Sequence, residues 1–411
     1  MVPAWNGTKQ ESRLVPLEVS DDATSNTHDV IRVCTKVVIP GSRCSPHLVV
    51  LQQVRINKYA QLCAVTKGRH AAVGFGNPTG HERHNSTVKK VVPPSRTHQI
   101  EFVEMALEIK ATVGYGLGTG VRNIESALEE AKWGASVGFE SFWISQIFGV
   151  DPIVALAVIG REVPEIKEFG TSVVPLAGRH PLALASSART ASAATNGRFT
   201  LGIGPSHKVV VEHIFGESYE RPFTWTKEFV EALSPLLNDQ PADVSGQVIS
   251  AHGSLTIDSP RCPLLLAALG PKMLRLAGAL TDGTSLGSCG PKMIRNHVTP
   301  VINEAASVLG RPSPRIQAMV SIAVTDNADA LREEQRRAGA GYDQLPTYRR
   351  ALDLEGVASG ADLSLLGSWN QIEEGLNEYV AAGVTDLRIM IGASDTATIQ
   401  RTREALTDAL A

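Results

Sequence analysis

From about residue 105 onward the chain alternates between two hydrophobic patterns. Short apolar runs bounded by Gly, Pro, Ser or Asn are the pattern of strands buried on both faces. Longer stretches with Ala, Leu and Val recurring every three or four positions are the pattern of amphipathic helices. The runs predict strands at Ile109–Val113, Ser141–Ile144, Phe169–Val174, Phe199–Ile203, Leu264–Ala268, Asp282–Ser285, Ile316–Val324 and Asp386–Ile391. Helices are predicted between them at Asn123–Val137, Pro152–Glu162, Pro181–Gly197, Thr226–Leu237, Met273–Ala279, Met293–Leu309, Ala328–Gly339 and Trp369–Ala382. Thr396–Ala411 follows the last strand, and a short helix starts at Val209. Asn123 suits an N-cap, Pro152 and Pro181 suit first helical positions, and Gly138 and Gly197 suit helix ends. Residues 238–262 read as a long connection holding a hairpin, Gln247–Ile257, and 340–366 carries no readable pattern. Eight strands alternating with helices predict an α/β chain folded as a closed parallel (β/α)8 TIM barrel. An open doubly wound sheet fits less well, because the glycines of Gly114–Gly120 lack the spacing and the acidic partner of a dinucleotide fingerprint.

Charge divides the chain. Residues 1–104 carry 13 Lys and Arg against 8 Asp and Glu, and residues 105–411 carry 26 against 34. The first segment also holds six of the eleven His and three of the five Cys, without sustained periodicity. Met105 is the first Met after Met1, and a clean strand pattern starts directly behind it. The expectation is that 1–104 is a disordered or mis-assigned extension, that Met105 is the natural start, and that 105–411 is the barrel. A small accessory domain is the alternative. A net charge of −3 gives no reason to expect nucleic acid or an anionic membrane as partner. No run of about 18 apolar residues suggests a spanning helix. The cysteines form no CxxC pair, which makes a reduced, cytoplasmic location the default and leaves no metal site in view.

In such a barrel the chemistry comes from the loops after the strands. Those loops hold Ser145 and Gln146, Val174–His180, Gly204–His207, Leu269–Pro271, Leu286–Gly290 and Gly392–Ser394. Few of these residues are charged. No Ser-His-Asp set and no carboxylate pair appears, which argues against a hydrolase or metalloenzyme. Gly, Ser and Thr expose backbone N–H groups and hydroxyls suited to phosphates and flat heteroaromatic rings. A redox enzyme fits, because a cofactor then carries the reactivity. His207 can donate a proton near working pH, contact a phosphate or simply open a helix. His180 reads as a helix cap and Cys289 as a small buried residue. Tyr342 and Tyr348 read as lid or as surface packing.

The segments T-S-V-V-P-L-A-G-R-H-P-L-A-L-A, G-R-F-T-L-G-I-G-P-S-H, L-L-A-A-L-G-P-K-M-L-R-L-A-G and G-S-W-N-Q-I-E-E-G-L-N-E-Y-V-A-A-G-V-T-D resemble the bacterial luciferase-like superfamily. Within it they resemble actinobacterial oxidoreductases that use coenzyme F420. The resemblance spans Leu107 to the C-terminus. It implies hydride transfer between reduced deazaflavin and a small alkene, imine or carbonyl substrate, without oxygen chemistry. An FMN-dependent monooxygenase and a non-catalytic deazaflavin-binding barrel are the alternatives. It implies a non-prolyl cis peptide at Ser172–Val173 behind the ring. It also implies cofactor contacts at Gly202, Gly204, Pro205 and Ser206, and at Ala268, Leu269, Gly270 and Pro271. Where several members carry an acidic residue and a His after the second strand, this chain reads W-I-S-Q-I-F-G. Gln146 can hydrogen-bond there but cannot act as an acid, which leaves His207 as proton donor. Members commonly pair, so a homodimer is implied as well.

Overall fold

A computed structural model describes residues 112–114, 123–146 and 148–410, all within the compact unit His98–Ala411. The extension 1–104, the start at Met105 and the loop 115–120 lie outside the described residues.

The first half runs β1 (Thr112–Gly114), α1 (Ile124–Val137), β2 (Ser141–Ile144), α2 (Pro152–Glu162), β3 (Glu168–Thr171), β4 (Val174–Pro175), α3 (Pro181–Ala194), β5 (Phe199–Gly204) and α4 (Pro222–Leu237). Local chemistry sets these boundaries. The Asn123 side chain accepts the Ser126 N–H, and Gly138 closes α1 in the left-handed region. Asp151 and His180 cap α2 and α3, each ahead of a proline in the first turn.

β6 (Ala242–Ser245) and β7 (Ser250–Gly253) follow as an antiparallel hairpin. The hairpin predicted at Gln247–Ile257 therefore lies earlier, with Gln247 in its turn. The Glu228 carboxylate of α4 accepts the N–H groups of Gln247, Val248 and Ile249 at 2.8–2.9 Å, which fixes the turn there.

The second half runs β8 (Leu264–Leu266), α5 (Pro271–Leu280), β9 (Gly283–Leu286), α6 (Pro291–Met293), α7 (Thr299–Val308), β10 (Arg315–Val324), α8 (Ala328–Asp343), α9 (Pro346–Glu355), β11 (Leu365–Gly367), α10 (Trp369–Ala381), β12 (Asp386–Ile391) and α11 (Thr396–Leu410). The single helix predicted at Met293–Leu309 is divided by a π-helical turn at Ile294–Val298. Pro300 has no N–H to give to the preceding turn, and the wider π register accommodates that loss. The predicted helix at Val209 is likewise a π-turn, Val210–Ile214. The unread stretch 340–366 is the end of α8, α9, a 3-10 turn and β11.

All sheet pairings among these elements other than the hairpin are parallel. They run β1–β2–β3–β5–β8–β9–β10–β12, and β12 pairs with β1. The sheet is thus curled, with helices on its outer face. Alternate strand residues divide between two environments. Phe142, Ile144, Phe169, Leu201, Ile203, Ala318, Val320, Leu387 and Ile389 join the hydrophobic cluster shared with the helices. The intervening residues are polar, small or singular in shape, among them Ser141, Trp143, Glu168, Gly170, Gln317 and Arg388. The Trp143 ring lies so close over Gly170 that a Cβ there would come within 2.2 Å of it.

Candidate active site

The third predicted strand is interrupted. β3 stops at Thr171, the Ser172–Val173 peptide is cis, and β4 resumes at Val174. Thr171 holds the break from below: its hydroxyl accepts the Gly202 N–H and donates to the Gly202 carbonyl, both at 2.8 Å. A Cβ at Gly202 would stand 2.0 Å from the Thr171 carbonyl oxygen, so the approach requires glycine. On the other side the Ser172 N–H donates to Ile144 O at 3.0 Å and the Gln146 N–H to Val173 O at 3.2 Å.

A cavity of about 200 Å³ opens over this bulge at the C-terminal ends of the strands. Val173, Pro175, Gly204 and Ala267 line one part of it. Its polar lining centres on Arg388, which is only 4% exposed. Arg388 Nη1 donates to Ser145 Oγ at 3.1 Å and to Ser172 O at 3.2 Å, and Ser145 Oγ donates to the same carbonyl. Among the described residues no carboxylate pairs with Arg388, and its Nε has no partner. Burial pushes its pKa down to about 10, so it stays charged at neutral pH. Beside it Ser172 Oγ lies 2.9 Å from Ser285 Oγ, which donates to Gln317 Oε1 at 2.8 Å. The nearby carboxylates are already engaged: Arg315 binds both oxygens of Glu168 at 2.7 and 2.9 Å and Asp386 at 2.6 Å.

The rim is aromatic. The His207 ring centroid lies 6.0 Å from that of Tyr342 and 5.4 Å from that of Tyr348, which are 6.1 Å from each other. Burial lowers the His207 pKa and pushes that of Tyr348 up to about 12. Both rings are therefore neutral at pH 7, and His207 is better suited to accept a proton than to arrive carrying an extra one. Ser206, before it, has a φ of 60°, and its carbonyl accepts from the Tyr219 hydroxyl at 3.0 Å. Gln146 Oε1 accepts from Arg179 Nη2 at 2.8 Å, the same nitrogen that binds Asp151. The amide nitrogen of Gln146 is thereby the end left to act as donor.

Of the residues singled out in the sequence, Gln146, Ser172, Val173, Gly204, Ser206 and His207 meet around this cavity. Gly202 sits one layer below, against Thr171. Pro205 lies in the turn without lining the cavity. Ala268 is buried in the outer hydrophobic cluster and Leu269 packs against it. Gly270 is the N-cap of α5 and Pro271 its first residue. His180 acts as the cap it was read as, and Cys289 is buried. Sequence reasoning missed Arg388, Ser285, Gln317 and Ala267. The signal for Arg388 was present in D-L-R-I-M-I, where it falls on the opposite face from Leu387 and Ile389.

Among the described residues no group of His, Cys, Asp or Glu is placed to hold a metal ion, and no helix is long and apolar enough to cross a membrane. Residues 104–386 match the family model for luciferase-like monooxygenases. Among curated proteins the chain is 31% identical over 164 residues to a 5,10-methylenetetrahydromethanopterin reductase of Methanolobus tindarius, covering 39% of this chain and 50% of that protein. It is 26% identical over 226 residues to an F420-dependent glucose-6-phosphate dehydrogenase of Nakamurella multipartita, covering 53% of this chain and 65% of that protein. The chain thus spans half to two thirds of the length of these relatives. Among solved structures, an F420-dependent secondary alcohol dehydrogenase in complex with an F420-acetone adduct shares the fold. Its TM-score is 0.60 at 17% identity, covering 72% of this chain and 98% of that one.

Proposed function

The chain belongs to the luciferase-like monooxygenase family, and from that premise we propose that it is a coenzyme F420-dependent oxidoreductase acting between reduced deazaflavin and a small alkene, imine or carbonyl acceptor. The observation that carries this reading is the Ser172–Val173 bulge, which forms one wall of a cavity that has on another a buried guanidinium with no carboxylate partner among the described residues. The same reading takes the returning parallel pairings as a complete (β/α)8 barrel, places the protein in the cytoplasm and pairs two copies through barrel helices. Exposed Val154 and Val158 on α2 support the pairing.

The residues fit a flat, carbonyl-bearing ring. Val173, Gly204 and Ala267 crowd into a thin apolar wall: a Cβ on Gly204 would stand 3.0 Å from Val173 and 3.2 Å from Ala267. The Arg388 Nε–H is a buried donor without a partner among the described residues, and a ring carbonyl or anionic nitrogen would satisfy it. The Gly204–His207 turn and the start of α5 at Gly270 and Pro271 are assigned to the cofactor's side chain and phosphate. When bound, the deazaflavin gives or takes a hydride.

The protein's own residues do the rest. Arg388 holds a fixed positive charge where the ligand becomes electron-rich, in a site that needs no reorganisation. Gln146, oriented by Arg179, donates an amide hydrogen to the ligand. His207, neutral and half-buried, accepts or relays a proton through its ring nitrogens. Tyr342 and Tyr348 cover the imidazole and exclude water from it.

Separate titrations of the full chain with coenzyme F420 and with FMN, followed by fluorescence, test this. Tight binding of F420 alone is expected. A preference for FMN would replace the reading with an FMN-dependent monooxygenase, and binding of neither would favour a barrel without catalysis.

A further inference from the structure

A second cavity, of about 390 Å³, adjoins the first. The two share Ser288, Met319 and Tyr342, so the Tyr342 ring that packs edge-on against His207 is also a wall of the larger space. Leu331, Leu363, Met390 and Ile391 make much of its lining apolar.

Besides the hydroxyls of Ser288, Ser321, Ser364, Ser394 and Tyr342, its polar side chains offer acceptors. Gln335 donates its amide hydrogen to Gly392 O at 2.7 Å, which turns Oε1 away from that carbonyl; the buried Oε1 has no partner among the described residues. The carboxylates of Glu334 and Asp343 also line the space. Glu334 accepts from Ser394 Oγ, and Asp343 accepts from Ser359 Oγ and the Gly360 N–H; neither bonds to a cation among the described residues. No Lys, Arg or His lines the cavity among the described residues. A buried acceptor without a donor costs free energy until a ligand supplies one. Carboxylates without cations repel a phosphate or carboxylate.

We propose that this second cavity is the acceptor pocket. It takes a largely apolar, non-anionic organic molecule whose N–H or O–H group donates to Gln335 Oε1, and whose reacting end passes Tyr342 into the first cavity. The proposal rests on the oxidoreductase reading for the reaction, but the ligand selectivity it asserts is measurable without cofactor.

The test uses the full chain and four matched probes: cyclohexanol, cyclohexylamine, methoxycyclohexane and cyclohexanecarboxylate. Affinities are measured by ligand-observed NMR on the wild type, Gln335→Met and Ala338→Trp. Ala338 lines the cavity from the exposed side of α8, so the larger side chain fills the space at small cost to the fold; melting curves check that both variants fold. The alcohol and the amine are expected to bind the wild type roughly tenfold more tightly than the ether, with the carboxylate weakest. Gln335→Met should level alcohol and ether, and Ala338→Trp should abolish binding of both while F420 still quenches. A carboxylate that binds as well as the alcohol, no binding of any probe, or probe binding unchanged by Ala338→Trp overturns the proposal. Failure of F420 to bind the wild type is read separately and overturns the cofactor reading alone.

Discussion

Arg388 Nη1 donates to the carbonyl oxygen of Ser172 at 3.2 Å, so a buried cation is fastened to the oxygen of the cis peptide. That oxygen also accepts from Ser145 Oγ and would keep a partner without Arg388. The guanidinium is therefore better explained by what it offers a ligand than by what it does for the bulge. Arg388→Met should lower F420 affinity by roughly ten- to a hundredfold, the range for a charge-assisted hydrogen bond of about 1.5–3 kcal/mol. It should leave thermal stability unchanged or raise it by up to about 2 kcal/mol, because a desolvated charge is removed. Fluorescence titration and melting curves check both halves.

The His207 imidazole has a folded pKa below its ordinary 6.5 because burial disfavours the charged form. The unfolded chain then binds the proton more readily. This contribution leaves stability untouched above pH 6.5 and lowers it as pH falls from 6.5 through the folded value. His207→Gln should flatten that acid-side loss by less than about 1 kcal/mol, since the ring is only partly buried. Denaturation midpoints between pH 5 and 8 measure it.

Gly202 is pinned against Thr171, whereas Gly270 has no atom within 4 Å of its missing Cβ. Gly202→Ala should destabilise by about 3 kcal/mol and disrupt ligand binding through the shifted bulge. Gly270→Ala should cost less than about 1 kcal/mol, the penalty of a weaker helix cap. Urea unfolding of the two variants tests the contrast.

Arg315 bridges Glu168 and Asp386 with bonds of 2.6–3.1 Å, and its ring-facing side lies 5.9 Å from the Trp143 centroid. Those bonds raise its pKa above the ordinary arginine range despite burial. Arg315→Met leaves two carboxylates facing each other. A loss of about 3 kcal/mol is expected, at the low end of the range for a broken buried pair because the side chain keeps 28% exposure. An unchanged urea midpoint would contradict this.

Much of the strand and helix order was legible because both-face burial makes strands read as apolar runs and proline or capping residues mark helix starts. The π-turns were not, since a helical apolar pattern does not distinguish their wider register from that of an α-helix. Most of α8 was read, but its last turn and helix α9 were obscured by their polar faces, each helix burying few side chains. For the site, the turn chemistry of Ser172, Val173, Gly204, Ser206 and His207 was visible, as were Gln146 and the two tyrosines. Arg388, Ser285 and Gln317 were not, because each sits inside a strand and looks like an isolated polar interruption. Only the parallel register, which sets Gln317 beside Ser285, brings them together.

The curled sheet keeps its greasy residues on the helix side and its chemistry on the other. Substitutions on the two sides therefore answer to separate demands. The outer positions are constrained by volume, and the inner ones also by polarity and reach, with Gly170 and Gly202 held by close contacts as well. A lineage can retool the inner side for a different reactant while the outer side continues to secure folding, and drift on the outer side need not disturb reactivity.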